Sequence, residues 1–185
     1  MNLKKDLVRY YAWLRNFGYN DSHSGNASVR SENTIWVTPS GACADTLHAD
    51  DLIACDIHGS TGENASYDAK LHIEVYKRNP KAQAVLHSHG PHTIALTMDG
   101  KDFIPEDFEG KLYFPAVSVH SIDFDQYSDQ SPEVVANTLS KDCITVVRGH
   151  GVYACAESLN LAYKWTCSLE HSAKIAYLTR QLNKT

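Results

Sequence analysis

The sequence has 185 residues, of which 43% are hydrophobic, and a formal net charge of −5. This length predicts one domain, residues 1–185, with a single sizeable core. The acidic balance and the lack of a Lys/Arg cluster argue against a nucleic-acid partner, and no apolar run approaches the roughly 18 residues of a membrane span.

The N-terminus and the cysteines predict a cytoplasmic protein. Residues 1–6 lead into a helical pattern instead of a signal peptide. The five cysteines are odd in number and contain no CxxC pair. Such usage suits buried thiols in a reducing compartment better than a disulfide framework.

The first part of the chain predicts a helix and then a hairpin between two polar loops. Apolar residues recur at helical spacing from Leu3 to Phe17, and Gly18 follows as a natural stop. The small polar stretch 22–30 is interpreted as a loop. The β-rich residues 34–38 are interpreted as a strand that ends in the second loop.

These two loops have two interpretations. They can be simple connections, since small-residue loops are common. Alternatively, they form an anion cradle in which Gly25 and Gly41 let the backbone approach a ligand. Asn26 and Ser40 then supply uncharged hydrogen bonds. The presence of two such loops beside one hairpin favours the cradle.

A strand at 52–56 precedes a helix that is predicted to begin near Ser66 and to end before Pro80. Asp68 falls in its first turn, where the helix field favours an ionised carboxylate. For a lone Asp, a charge at a helix start is the usual explanation. His72, one turn later, is interpreted as a packing or hydrogen-bonding histidine.

Residues 84–91 form the most informative stretch, because an apolar strand there delivers two histidines before a Gly-Pro break. His87 and His89 are two apart and therefore point to the same face. A catalytic zinc usually takes three protein ligands. His150 stands between two glycines at the turn of a predicted hairpin, 143–156, and is the candidate third ligand.

The remaining segments have weaker patterns. In chain order we predict a short helix at 91–98, a strand at 112–119, a helix from Ser131-Pro132 to about residue 140, and a long helix at 158–182.

Five motifs stand in the order and spacing of a known family. They are Gly25-Asn26-x-Ser28, Thr38-Pro39-Ser40-Gly41, Asp68 with His72, His87-x-His89 and Gly149-His150-Gly151. With them the chain resembles the class II aldolase/adducin-like family, which includes L-fuculose-phosphate and L-ribulose-phosphate-type enzymes. The resemblance covers about residues 3–180.

The resemblance implies an α/β fold, with three α/β/α layers and a largely antiparallel central sheet. It also implies a homotetramer whose active sites lie between adjacent subunits. His87, His89 and His150 match the metal-binding histidines; three imidazoles suit Zn²⁺ first, with Mn²⁺, Co²⁺ or Fe²⁺ as alternatives. The positions that match the family's phosphate-binding residues are Asn26, Ser40, Gly41 and Ser66.

The chain departs from the family pattern beside Ser66. Aldolases of this type carry two serines and a glutamate that acts as acid/base, whereas this chain has Ser66-Tyr67-Asp68. Asp68 is the expected catalytic residue, with a reach about 1.5 Å shorter than that of Glu. His23 replaces a small hydroxyl residue. The tyrosine that aldolases place after the short helix has no match, and Phe108 and Glu109 fall near that point.

The implied activity is that of a metal-dependent lyase acting on a small molecule. We expect cleavage of a ketose 1-phosphate to dihydroxyacetone phosphate and an aldehyde through an enediolate that the metal stabilises. The alternative is a decarboxylase or dehydratase of a related keto acid, hydroxy acid or sugar phosphate. It is favoured if Tyr67, His23 or Arg148 recognises a carboxylate. A non-catalytic adducin-like binding module is a third alternative, against which the retained histidines argue.

Overall fold

The computed structural model describes residues 2–183 and is built around a seven-stranded sheet. The spatial order is β3-β2-β1-β4-β7-β6-β5, and every neighbouring pair is antiparallel except the parallel pair β5 and β6. The sheet is thus largely antiparallel, as predicted. The strands are β1 (Asn26–Ser31), β2 (Thr34–Val37), β3 (Ile53–Asp56), β4 (Ala84–Ser88), β5 (Val119–His120), β6 (Ile144–Val147) and β7 (Gly151–Ala156).

Helices cover both faces of this sheet. They are α1 (Leu3–Asn16), α2 (Ala69–Arg78), α3 (Pro91–Leu96), α4 (Phe108–Tyr113), α5 (Tyr127–Leu139) and α6 (Leu159–Leu182). The central strand β4 is buried along its whole length. Its Val85 packs with α2 and α5, while Ala84 and Leu86 pack with α1 and α6, because alternate strand residues face opposite sides. The predicted three-layer α/β/α architecture is confirmed.

Several elements were predicted with nearly correct bounds, namely α1, β2, β3, β4, the β6–β7 hairpin and α6. Ser158 caps α6, where its hydroxyl accepts a hydrogen bond from the backbone N–H of Leu161. None of the helices within residues 2–183 combines the length and the apolar character needed to cross a bilayer.

Strand β1 corrects the prediction of a loop over residues 22–30. It pairs with β2 on one side and β4 on the other, and Ala27 and Val29 are buried towards α1. The opposite face places Asn26 and Ser28 in buried hydrogen bonds. Small polar residues can therefore form an inner strand, because neighbouring elements satisfy their polar atoms.

Residues 112–119, predicted as a strand, contain the end of a helix and an extended connection. Helix α4 begins after Asp107, whose carboxylate accepts a hydrogen bond from the backbone N–H of Gly110 at 2.9 Å. Pro115 follows the helix and has no N–H for a strand ladder. Only the two residues of β5 pair with β6.

Two helices begin at residues other than those predicted. Helix α2 starts at Ala69 with Asp68, not Ser66, as its N-cap, because residues 66–68 form a turn in which Ala69 N–H donates to the Ser66 carbonyl at 2.9 Å. Helix α5 starts at Tyr127 and contains Pro132, which removes a single N–H one turn after the start. Helix α3 ends two residues earlier than predicted.

Candidate metal centre and active site

The three histidines singled out from the sequence converge in the structure. His87 lies in β4, His89 directly follows that strand, and His150 lies on the turn between β6 and β7. The Nε2 atom of His87 is 2.9 Å from Nε2 of His89 and 3.3 Å from Nε2 of His150. One nitrogen from each residue falls within 4.8 Å of the others.

The donor set of this cluster fits a divalent cation. His87 Nδ1 lies 3.0 Å from the Val152 carbonyl; since a carbonyl only accepts, Nδ1 carries the hydrogen and Nε2 presents its lone pair. Burial lowers the pKa of His87 well below its ordinary value, and burial together with His150 lowers the pKa of His89 to about 4. Burial also lowers the pKa of His150. Neutral imidazoles with converging lone pairs can hold a metal ion.

Gly151 leaves room for two of these imidazoles. A Cβ atom at this position would stand 2.8 Å from His89 Cδ2 and 2.9 Å from His87 Cε1, and it would also meet the Ser88 carbonyl oxygen. The rings therefore pack against the bare backbone at the start of β7. The glycine after His150 is required by close packing at the cluster.

Glu170 of α6 holds the segment that follows His89. Its buried carboxylate accepts hydrogen bonds from the backbone N–H groups of His92 and Thr93, both at 3.0 Å, and from the Thr93 hydroxyl at 2.7 Å. His92 Nδ1 is 2.7 Å from the same carboxylate. These contacts satisfy the first N–H groups of α3 and fix the chain just beyond His89.

Asp68 is a buried carboxylate beside the histidines. Its oxygens accept hydrogen bonds from the Asn26 amide at 2.9 Å and from the hydroxyls of Tyr127 and Tyr153, both at 2.8 Å. Its Oδ2 lies 3.8 Å from His87 Nε2. Burial opposes ionisation of Asp68, but the hydrogen bonds from Asn26 and Tyr127 favour the charged carboxylate, and its pKa is lowered. The carboxylate is ionised at neutral pH.

Two predicted substrate-binding residues adjoin Asp68 directly. Asn26, the first residue of β1, donates to it, while Asn26 Oδ1 is buried and has no hydrogen-bond partner within residues 2–183. The Ser66 hydroxyl accepts from the Asp68 backbone N–H at 3.3 Å. A cavity of about 220 Å³ opens beside Ser66 and Asp68 and is lined in part by these two residues and Tyr127.

Ser40 and Gly41 lie on an exposed turn that runs beside the segment before Ser66. The Ser40 N–H donates to the Asn64 carbonyl at 2.9 Å, and the Ser66 N–H donates to the Thr38 carbonyl at 3.1 Å. Gly41 has a φ of +66°, and a Cβ added there would meet nothing within 4 Å. The turn is thus joined to the Ser66 segment by its backbone and leaves open space above the glycine.

The three side chains considered for carboxylate recognition have different surroundings. Tyr67 is exposed and stacks on Tyr127 with ring centroids 6.2 Å apart. His23 is exposed, and its Nδ1 contacts the Ser22 hydroxyl at 2.8 Å. The Arg148 Nε donates to the Met98 carbonyl at 2.7 Å, so this guanidinium is engaged in tying the β6–β7 turn to the residues after α3.

Sequence reasoning missed two tyrosines of this site. Tyr127 directs its hydroxyl at Asp68 and its ring at His150, with centroids 4.7 Å apart. Tyr153 stacks on His87 and also bonds Asp68. Tyr153 offered a signal, since it is a large polar-tipped residue among small apolar ones in β7. No pattern pointed to Tyr127, which lies in a segment without clear periodicity.

Comparisons with known proteins place the chain in a family. Residues 5–177 match the family model described as class II aldolase and adducin N-terminal domain. The chain is 30% identical over 173 residues to methylthioribulose-1-phosphate dehydratase of Acidiphilium cryptum, covering 86% of this chain and 82% of that protein. It is also 30% identical over 171 residues to 3-oxo-tetronate 4-phosphate decarboxylase of Haemophilus influenzae, covering 86% and 80%.

A solved structure has the same fold. The crystal structure of L-fuculose-1-phosphate aldolase from Thermus thermophilus superimposes with a TM-score of 0.92 and 28% sequence identity, covering 99% of this chain and 96% of that one. Aldolases, dehydratases and decarboxylases are all lyases, and the chain is an enzyme of this type. The resemblance inferred from the motifs is confirmed, and the chain belongs to the class II aldolase and adducin N-terminal domain family.

Proposed function

We propose that this chain is a metal-dependent aldolase that cleaves a ketose 1-phosphate to dihydroxyacetone phosphate and an aldehyde. The observation that carries this proposal is the buried Asp68 carboxylate, whose Oδ2 lies 3.8 Å from His87 Nε2 in a cluster of three converging histidines. The likeness to L-fuculose-1-phosphate aldolase adds support. Enzymes of the family depend on a divalent metal, and we propose Zn²⁺ as the ion.

The metal ligands in this proposal are His87, His89 and His150. A divalent ion held there supplies a Lewis acid that stabilises negative charge on substrate oxygens as the carbon–carbon bond breaks. The Val152 carbonyl keeps His87 in the tautomer that presents Nε2. Burial keeps all three imidazoles neutral, so protons compete weakly with the ion at neutral pH.

Asp68 is the proposed proton-transfer group. A carboxylate offers about four acceptor positions, and Asn26, Tyr127 and Tyr153 occupy three. One position is left to accept the hydroxyl proton of the substrate, which Asp68 returns to the carbon exposed by bond cleavage. The two phenol donors stabilise the ionised carboxylate before and after that transfer.

Asn26, Ser40, Gly41 and Ser66 are the proposed phosphate-binding residues. The side-chain amide of Asn26 has two N–H groups, of which Asp68 receives one, so the other can donate to a phosphate oxygen. The open space over Gly41 lets a ligand approach the backbone. Ser66 lies just before α2, whose N-terminus favours an anion. Uncharged donors of this kind bind phosphate without a lysine or arginine.

Dehydration or decarboxylation of a related phosphorylated substrate is the second candidate. Relatives 30% identical to the chain carry those names, and the Ser66-Tyr67-Asp68 sequence replaces the serine pair and glutamate of aldolases. A homotetramer with active sites between subunits and a cytoplasmic location complete the proposal. The five free cysteines fit a reducing compartment.

Product detection by NMR tests the reaction. Zinc- or manganese-loaded protein is incubated with a pool of ketose 1-phosphates and four-carbon keto-acid phosphates, with Asp68→Asn as the control. Dihydroxyacetone phosphate plus an aldehyde, formed by wild type and lost in the variant, supports the aldolase. A dehydrated or decarboxylated product rejects it in favour of the second candidate.

A further inference from the structure

Tyr153 lies directly across the sheet from His87. The two residues are paired in the antiparallel register of β4 and β7, and their rings are nearly parallel, with centroids 4.0 Å apart and an interplanar angle of 4°. Tyr153 is fully buried. Its hydroxyl donates to Asp68 at 2.8 Å and contacts the Tyr127 hydroxyl.

Two neighbouring residues of β7 therefore constrain the same imidazole. The Val152 carbonyl accepts the hydrogen bond of His87 Nδ1 at 3.0 Å and fixes the rotation of the imidazole within its own plane. The Tyr153 ring covers one face of the imidazole and sets its plane. Direction and plane together determine where the Nε2 lone pair points, which matters because a metal ion is bound along that lone pair.

The far end of the Tyr153 ring is fixed as well. Its hydroxyl is held by the Asp68 carboxylate, which receives further hydrogen bonds from Asn26 and Tyr127. A ring anchored at both ends cannot tilt without breaking a buried hydrogen bond, which would leave a polar atom unsatisfied. The Tyr153 ring that stacks on His87 is thus held rigidly.

We propose that Tyr153 is a positioning residue, whose ring sets the orientation of His87 for metal binding. The inference rests on the metal site of the proposed function and not on the reaction. The ring is the part that acts on the imidazole, and the hydroxyl serves to hold the ring. Replacing the ring therefore has a larger effect on metal binding than removing the hydroxyl.

A purely structural role predicts a different outcome, and Tyr76 provides the matched control. Tyr76 is also fully buried, belongs to the same hydrophobic cluster and bonds the Ser28 hydroxyl at 2.9 Å. It is not in ring contact with a metal-site histidine. Truncating either tyrosine to leucine removes a comparable volume from one core, but only one truncation uncovers His87.

The experiment is a Co²⁺ titration of metal-depleted protein, read by visible absorption and by competition with a chelator. The variants are Tyr153→Leu, Tyr153→Phe and Tyr76→Leu, each checked for native circular dichroism. We expect Tyr153→Leu to weaken Co²⁺ binding about 10- to 100-fold, the range for residues that support a ligand, and to shift the absorption bands. Tyr153→Phe should stay within about threefold of wild type and keep the bands, as should Tyr76→Leu.

Each outcome decides the inference. Wild-type affinity and absorption in Tyr153→Leu overturn the inference while the metal site stands. Weakening in Tyr153→Phe or in Tyr76→Leu equal to that in Tyr153→Leu overturns it in the same way. Wild-type protein that binds no Co²⁺ overturns the metal site and the inference together. If Tyr153→Leu loses its native circular dichroism, Tyr153→Met replaces it, because the flexible unbranched side chain refills the core without restoring a ring.

Discussion

His72 should make the protein less stable in mild acid. This residue of α2 is fully buried, and its Nδ1 lies 2.7 Å from the Ser28 hydroxyl. Burial, partly opposed by Asp68, lowers its pKa from 6.5 to about 4. Between these two values the unfolded chain binds more protons than the folded one, so the free energy of unfolding falls as the pH falls.

The expected size of this effect follows from the two pKa values. A change from pH 7.5 to pH 4.5 crosses the unfolded pKa and stops just above the folded one. Each pH unit between them contributes about 1.4 kcal/mol. His72 alone should therefore reduce the free energy of unfolding by roughly 2 to 3 kcal/mol over this range.

Urea unfolding of metal-free wild type and His72→Asn at both pH values isolates this contribution. The Asn amide can replace Nδ1 at Ser28 but does not titrate. The clustered histidines His87, His89 and His150 are present in both proteins, so their contribution cancels in the difference. At equal protein concentration, acidification should lower the free energy of unfolding of the variant by roughly 2 to 3 kcal/mol less than that of wild type. Equal losses in the two proteins would show that His72 is not held neutral by burial.

Three further changes have defined outcomes. His89→Ala should lose bound metal while keeping its circular dichroism, and metal analysis after gel filtration that finds a full equivalent would contradict the site assignment. Glu170→Gln should lower the free energy of unfolding by about 1 to 3 kcal/mol, because an amide cannot accept all the hydrogen bonds at the start of α3; unchanged urea midpoints would refute this role. Asp68→Asn should reduce kcat about 10²- to 10⁴-fold with Co²⁺ affinity changed less than tenfold, and a kcat near wild type would reject proton transfer by Asp68.

The convergence of the histidines was predictable because short-range geometry determines most of it. His87 lies in β4 and His89 directly follows that strand, and two residues of an extended chain separated by one other share a face. A histidine between glycines at a hairpin turn can point in few directions. His87, His89 and His150 follow from these local constraints. The motifs then indicated the family, and the family implied the layered fold that the sheet and helices display.

The surroundings of Asp68 could not be predicted in the same way. Tyr127 and Tyr153 reach it from 59 and 85 residues away in the chain, and nothing in the local pattern of either segment encodes such a contact. Glu170 likewise meets His92 across 78 residues. Side chains that support a site from distant elements can be identified only when the packing of those elements is known.

Some predicted boundaries of strands and helices were wrong for a related reason. Local composition indicated a loop before residue 31, but pairing on both sides makes this segment β1. Ser66 is a good N-cap by type, whereas the turn at 66–68 moves the helix start to Ala69. In each case tertiary contacts outweighed the local preference.

The close packing at Gly151 limits how this enzyme can be changed by laboratory evolution. Because any side chain there would collide with the imidazoles of His87 and His89, a saturation library at this codon should return glycine alone among active clones. Tyr67 presents the opposite case, with 71% of its surface exposed beside the cavity. Libraries that seek new substrates should leave the turn after His150 untouched and diversify position 67.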